Sequence, residues 1–100
     1  MKKTVKQVAG IDVAKGELVV TLGRMFEDFT IELFSYRVFK NSASGIKSLI
    51  DWATKLTDRQ IPVRYVMEAT GVYHQKLAYH LADNGYEVSI VLPNKISNYI

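Results

Sequence analysis

The chain has 100 residues, 48% of them hydrophobic and 23% charged, with a formal net charge of +3 and no cysteine. That is enough for one domain with a modest core and too little for two. It excludes a disordered chain and a disulfide or cysteine–zinc scaffold, and no apolar run approaches the ~18 residues of a membrane-spanning helix.

The basic start, Met1-Lys2-Lys3-Thr4, runs into Val5-Lys6-Gln7-Val8 and not into the apolar core of a signal peptide, so a cytoplasmic protein with no membrane partner is expected. Thirteen Lys and Arg against ten Asp and Glu permit a polyanionic partner without requiring one, and no basic block of five or more is present. Val5 to Asp12 reads as a first strand, followed by a turn at Val13-Ala14-Lys15-Gly16-Glu17. Leu18 to Leu22, rich in β-branched residues, reads as a second strand. Gly23 to Asp28 is expected to turn, and Phe29 to Lys40 to form a long third strand. Alternation in that strand slips at Leu33-Phe34, which predicts a bulge or partial burial of both faces.

The period then changes. Ile46, Leu49, Ile50, Ala53 and Leu56 fall on one helical face, with Ser42 or Ser44 available as cap and Trp52 flanking the stripe. Pro62 to Met67 reads as a fourth strand ending at Glu68. A second helix follows, with Tyr73, Leu77, Ala78 and Leu81 on its apolar side and Gly85 as terminator. Tyr86 to Leu92 reads as a fifth strand, and Pro93-Asn94 opens a third helix with Ile96, Tyr99 and Ile100 at helical spacing. The order βββαβαβ predicts an α/β fold, a mixed sheet with helices packed on its faces, in the ribonuclease H-like architecture.

Two carboxylates stand at the ends of apolar strands, Asp12 after Val8-Ala9-Gly10-Ile11 and Glu68 after Val63 to Met67. A carboxylate there is costly unless its charge is compensated. If strands one and four are neighbours, both acids sit at one edge of the sheet, where their hard oxygens suit Mg2+ or Mn2+. Glu68 is also expected to profit from the dipole of the helix that follows it. Asp12 equally fits a strand-end turn, and Glu68 a helix cap or a lysine's partner.

Gly10-Ile11-Asp12-Val13-Ala14-Lys15 and Met67-Glu68-Ala69-Thr70-Gly71-Val72-Tyr73-His74 together resemble the DEDD transposases of the pilin-invertase (Piv/MooV) type. The resemblance continues through Leu77-Ala78, Leu81-Ala82, Gly85-Tyr86-Glu87-Val88 and Val91-Leu92-Pro93-Asn94. It implies a RuvC-like catalytic domain in which Asp12 and Glu68 are the first two catalytic, metal-binding carboxylates. It further implies Mg2+ or Mn2+ as cofactor, insertion-sequence ends and target DNA as partners, a homo-oligomer, and in many members a guide RNA. The two remaining aspartates of the family follow the fifth strand. This sequence has no Asp after Asp83, so residues 1–100 are expected to be part of a RuvC-like domain, inactive alone, without the rest of that domain or the family's C-terminal domain.

Lesser candidates for substrate binding are Lys15, Thr70, Gly71 and His74. Lys15 is placed to approach a phosphate, and His74 to orient a water or phosphate. Thr70 and Gly71 also fit a helix entry, as N-cap and as a close-approach glycine. Tyr73 and the aromatics of the third strand read as packing residues. Two other readings stay open. One is a non-catalytic module for oligomerisation or nucleic-acid binding. The other is a fragment similar to actin- or hexokinase-like ATP-binding domains, against which Val13-Ala14-Lys15 stands where a Gly and Ser/Thr phosphate turn is wanted.

Overall fold

A computed structural model of the chain describes residues 2–69 and 71–92. The third helix expected from Pro93 onward lies outside the described residues. The others appear in the expected order: β1 (Thr4–Val13), β2 (Glu17–Phe26), β3 (Ile31–Lys40), α1 (Ala43–Leu56), β4 (Val63–Glu68), α2 (Gln75–Asp83) and β5 (Glu87–Val91). They form one five-stranded sheet in the order β3-β2-β1-β4-β5. The first three strands are an antiparallel meander, while β4 joins β1 in parallel and β5 joins β4 in parallel.

The two faces of the sheet differ. Ala9, Ile11 and Val13 of β1, Leu18, Val20 and Leu22 of β2, Phe39 of β3, and Tyr65 and Met67 of β4 all point one way and are buried. Ile46, Leu49, Ile50 and Ala53 of α1 and Leu77, Ala78 and Leu81 of α2 close over them. Both described helices therefore cover the same face of the mixed sheet on which helices were expected to pack. The alternate residues Val8, Gly10 and Asp12, with Val19, Thr21, Tyr36 and Val38, form an open face.

The β2–β3 hairpin is longer than expected. Gly23 to Phe26 stay in the ladder, and the turn is confined to Glu27, Asp28 and Phe29. Gly23 does not break the strand because it still pairs, opposite Leu33, where its missing Cβ makes room for that side chain. The predicted slip is a β-bulge: Leu22 pairs with Ser35 and Gly23 with Leu33, leaving Phe34 as the extra residue. Phe34 turns toward the core side, with the Arg24 guanidinium 3.8 Å above its ring.

Ser42 caps α1, its hydroxyl accepting from the Gly45 amide at 3.1 Å. Gly45 is buried under the end of β3, where a Cβ would collide with the Lys40 carbonyl. Helix α2 ends at Gly85 as expected, with φ at +81°. The Tyr86 amide donates to Leu81 O at 3.0 Å and the Gly85 amide to Ala82 O at 3.1 Å, the paired bonds of a Schellman motif. The start of α2 departs from expectation. It begins at Gln75, so Tyr73 lies in the preceding turn and is exposed rather than core. At the far end of the sheet, the buried Gln7 amide is satisfied by Asp58 O at 3.0 Å, Ile61 O at 2.8 Å and the Asp58 amide at 2.7 Å. That amide anchors the loop leading into β4.

Two outcomes follow. Gly45→Ala forces α1 away from Lys40 and should lower stability by about 2 kcal/mol or more, as read by urea unfolding. Burial, with a smaller effect of the neighbouring Tyr86, pushes the Tyr65 phenol from its ordinary value of 10.0 up to about 12. The folded value lies above the unfolded one, so this contribution is complete below pH 10 and lost as pH rises toward 12. The loss should reach roughly 2–3 kcal/mol. Phenolate absorbance should show one of the six tyrosines ionising only with alkaline unfolding.

Candidate active site

The parallel pairing of β1 with β4 sets Ile11 beside Met67. The next residue on each strand is a carboxylate, Asp12 on β1 and Glu68 at the end of β4. Adjacent strands lie about 4.8 Å apart, so the two acids are neighbours across the sheet. Both are exposed. They share an open depression of about 590 Å3 lined by Gly10, Ile11, Asp12, Val19, Thr21 and Glu68.

Each lining residue has a local reason to be there. Ile11 and Met67 turn into the core and fix the alternation, which sends Asp12 and Glu68 to the opposite face. Thr21 pairs with Gly10 and Val19 with Asp12 across the hairpin. A Cβ at Gly10 would meet nothing nearer than Thr21 O at 3.9 Å. Packing therefore does not require glycine there, and its effect is to keep the floor of the depression low.

Like charges on neighbouring strands disfavour each other. A hard cation would offset that repulsion, and exposed carboxylates lose little hydration in binding one that keeps most of its waters. The donor set thus fits Mg2+ or Mn2+ in kind. It is small in number: among the described residues no group of three or more His, Cys, Asp or Glu side chains could hold a metal.

Lys15, Gly71 and His74 are not on the lining. Lys15 is exposed in the β1–β2 turn, and Gly71 is exposed in the turn after β4 with φ at +57°. His74, directly before α2, is half-buried, and its Nδ1 has no hydrogen-bond partner among the described residues. Thr70 lies outside the described residues. Six residues separate Glu68 from the first residue of α2, so the expected help of that helix dipole fails, because the field falls off within the first turn.

Sequence reasoning passed over Asn41. Its Nδ2 donates to Ala14 O at 2.9 Å and to Tyr73 O at 3.0 Å, and its backbone amide donates to Gly16 O at 3.2 Å. Both side-chain partners are carbonyl oxygens, which settles which way the amide faces. One residue thereby ties the turn after Asp12 to the turn after Glu68. The only signal in the sequence was an asparagine between a strand and a helix, a place that ordinary turn chemistry also explains.

Residues 9–100 match the protein family described as Transposase, the DEDD transposases of the IS110 type. The chain belongs to this family. No curated protein sequence matches it. Among solved structures it is similar to the fowlpox virus Holliday junction resolvase, at 16% identity and a TM-score of 0.60 over 92% of this chain and 66% of that one. It is also similar to Thermus thermophilus RuvC, at 15% identity and a TM-score of 0.58 over 92% of this chain and 67% of that one. A Ppx/GppA family protein of Aquifex aeolicus matches at 16% identity and a TM-score of 0.51 over 90% of this chain. The chain spans 36% of that protein's length. At these identities the likeness shows the fold, the mixed α/β architecture of RuvC and ribonuclease H.

Asn41→Ala should lower stability by about 1–3 kcal/mol, since it leaves two carbonyls short of a donor. In 15N spectra the largest shifts should fall near Ala14 and Tyr73. Shifts confined to Asn41 and its sequence neighbours would show that the two turns are held by other means.

Proposed function

We propose that this chain forms part of the RuvC-like catalytic domain of a metal-dependent DNA transposase or site-specific recombinase of the pilin-invertase type. The observation that carries this reading is the juxtaposition of Asp12 and Glu68 on the open face, in a chain of a DEDD transposase family. Asp12 and Glu68 supply carboxylate oxygens for Mg2+ or Mn2+, two of the four carboxylates of a DEDD set. A divalent ion held there supplies Lewis-acid chemistry at a phosphodiester. Gly10 leaves room for a bulky backbone phosphate beside the acids. Lys15, in the adjoining turn, offers a positive charge to DNA approaching that edge. Asn41 holds the two turns that flank the acids. Partners on this reading are insertion-sequence ends and target DNA, with a guide RNA and self-association as further features of the family type. Two of the solved structures that share its fold carry nucleic-acid names, a Holliday junction resolvase and RuvC, the latter also determined in complex with a Holliday junction substrate, whereas the Ppx/GppA protein carries a phosphatase family's name.

A second reading is a module without catalytic activity of its own. It is favoured by the small donor set among the described residues. The two readings are compatible if the 100 residues bind metal weakly and leave DNA uncut.

The deciding experiment is a titration with Mg2+ and Mn2+ followed by amide signals, beside Asp12→Asn and Glu68→Gln. Weak saturable binding is expected, with a Kd on the order of 1 mM. Mn2+ should broaden signals around both Asp12 and Glu68, and either substitution should abolish the effect at both positions. Broadening that survives both substitutions, or none at either acid, would refute a shared metal site. No metal-dependent DNA strand cleavage is expected from the 100-residue chain alone.

A further inference from the structure

The outer edge of the sheet is the unpaired side of β3. This strand is ten residues long, contains no proline, and shows a continuous apolar strip on the open face. Ile31 is 69% exposed, Leu33 70%, Tyr36 66% and Val38 43%. Long, apolar, unpaired edges invite a further strand, and natural sheets usually blunt them with charges or proline. Of the charged residues of β3, Lys40 at the strand's last position shares a face with this strip, while Glu32 and Arg37 lie on the other.

The bulge at Phe34 restricts what can pair there. Before it, the open face carries the odd-numbered residues Ile31 and Leu33, which pair with Met25 and Gly23. After it, the open face carries the even-numbered Tyr36 and Val38, which pair with Thr21 and Val19. Among antiparallel registers with a second copy of β3, one sets every apolar open-face residue against another. It places Leu33 opposite the partner's Tyr36, and Ile31 opposite the partner's Val38. The same register sets Glu32, which within the chain pairs with Arg24 Nε at 3.1 Å, against the partner's Arg37 on the other face. Two-fold symmetry repeats each pairing, so two opposite-charge pairs and four apolar pairs form together. A sequence without this relation would show like charges, or charge against apolar, in some of these positions.

We propose that the β3 edge is a self-recognition surface. In a homodimer of this chain, two β3 strands pair antiparallel about a two-fold axis near Phe34 and Ser35, joining two five-stranded sheets into one. The occupant is a second copy, because the strip and the charges behind it complement themselves in this one register. The proposal does not depend on the metal site, since Asp12 and Glu68 lie on β1 and β4 and not on this edge.

The chain has no native cysteine, which permits a test specific to the register. Leu33→Cys and Tyr36→Cys are made separately at exposed positions, oxidised alone and as an equimolar mixture. Opposed residues across an antiparallel pair lie about 4.5–5.5 Å apart at Cα, within disulfide reach. A residue and its own copy would be displaced by three positions, about 10 Å, and out of reach. The mixture should therefore give a mixed dimer at about ten times the yield of either variant alone. In sedimentation, Glu32→Arg and Arg37→Glu should each weaken the dimer roughly 10-fold, and the double exchange should restore it to within about 3-fold of the parent. Circular dichroism of each variant confirms folding. A parent chain that stays monomeric up to about 1 mM overturns the proposal, as it would if nucleic acid or another segment were the natural occupant. So do equal yields in all three oxidations, or a double exchange no better than the singles.

Discussion

The site depends on one backbone relation, the parallel register between β1 and β4. The other pairings shape the walls of the depression, but this one sets the two acids side by side. If β4 slid by one residue against β1, Glu68 would lie beside Val13 or Ile11 and no longer beside Asp12. The register is held by what lies beneath it. Ala9 pairs with Tyr65 and Ile11 with Met67, and all four are buried under the helices. A one-residue slip would turn Tyr65 and Met67 outward and bring charged Arg64 and Glu68 toward the core, a loss of many kcal/mol of burial. At the other end, the Gln7 amide grips the Asp58–Ile61 loop just as it enters β4, so the strand starts at a fixed position.

The division of labour between faces follows. The apolar side chains that give the domain its stability all lie on the helix-covered side. The carboxylates lie on the other, where water can solvate them. Chemistry on the open face is thus separated from packing by the thickness of a sheet, and Asp12 and Glu68 can be adjacent without a buried charge. Asn41 connects the two regions. It stands between the last strand of the meander and the first helix, and it reaches the turns that follow each acid.

Much of this was legible in the residues themselves. Strand alternation in Val63 to Met67, helical spacing from Ile46 to Ala53, and Gly85 as a terminator each rest on local rules, and each holds; β5 forms as a strand, but of its alternating apolar residues Val88 is half-buried and Ile90 exposed. Even the bulge was visible, because Leu33-Phe34 violates a period of two and a strand can absorb that only by adding a residue. The failures are equally physical. Gly23 looked like a turn residue, but a glycine in a ladder can serve to admit a large cross-strand neighbour, here Leu33. Tyr73 fitted the α2 stripe by spacing, yet the helix starts two residues later, and spacing alone does not locate a first turn. Which face the helices cover was not assigned from the pattern, since it depends on crossover geometry and not on either helix's own sequence. Asp12 and Glu68 could be paired only by supposing β1 and β4 to be neighbours, an assumption that came from the fold and not from either motif.

Glu68 ends its strand well before α2 begins, with a turn containing Gly71 between them. Had the helix started at once, its amide groups would have held the carboxylate and tied it to the dipole. With the turn interposed, Glu68 takes its place from the end of its strand, as Asp12 does from its own. Two exposed acids set by backbone register are fixed in their spacing. That suits a hard cation, which takes few protein ligands and keeps its waters. The arrangement costs the fold some stability at the open face, and a bound divalent ion would return it.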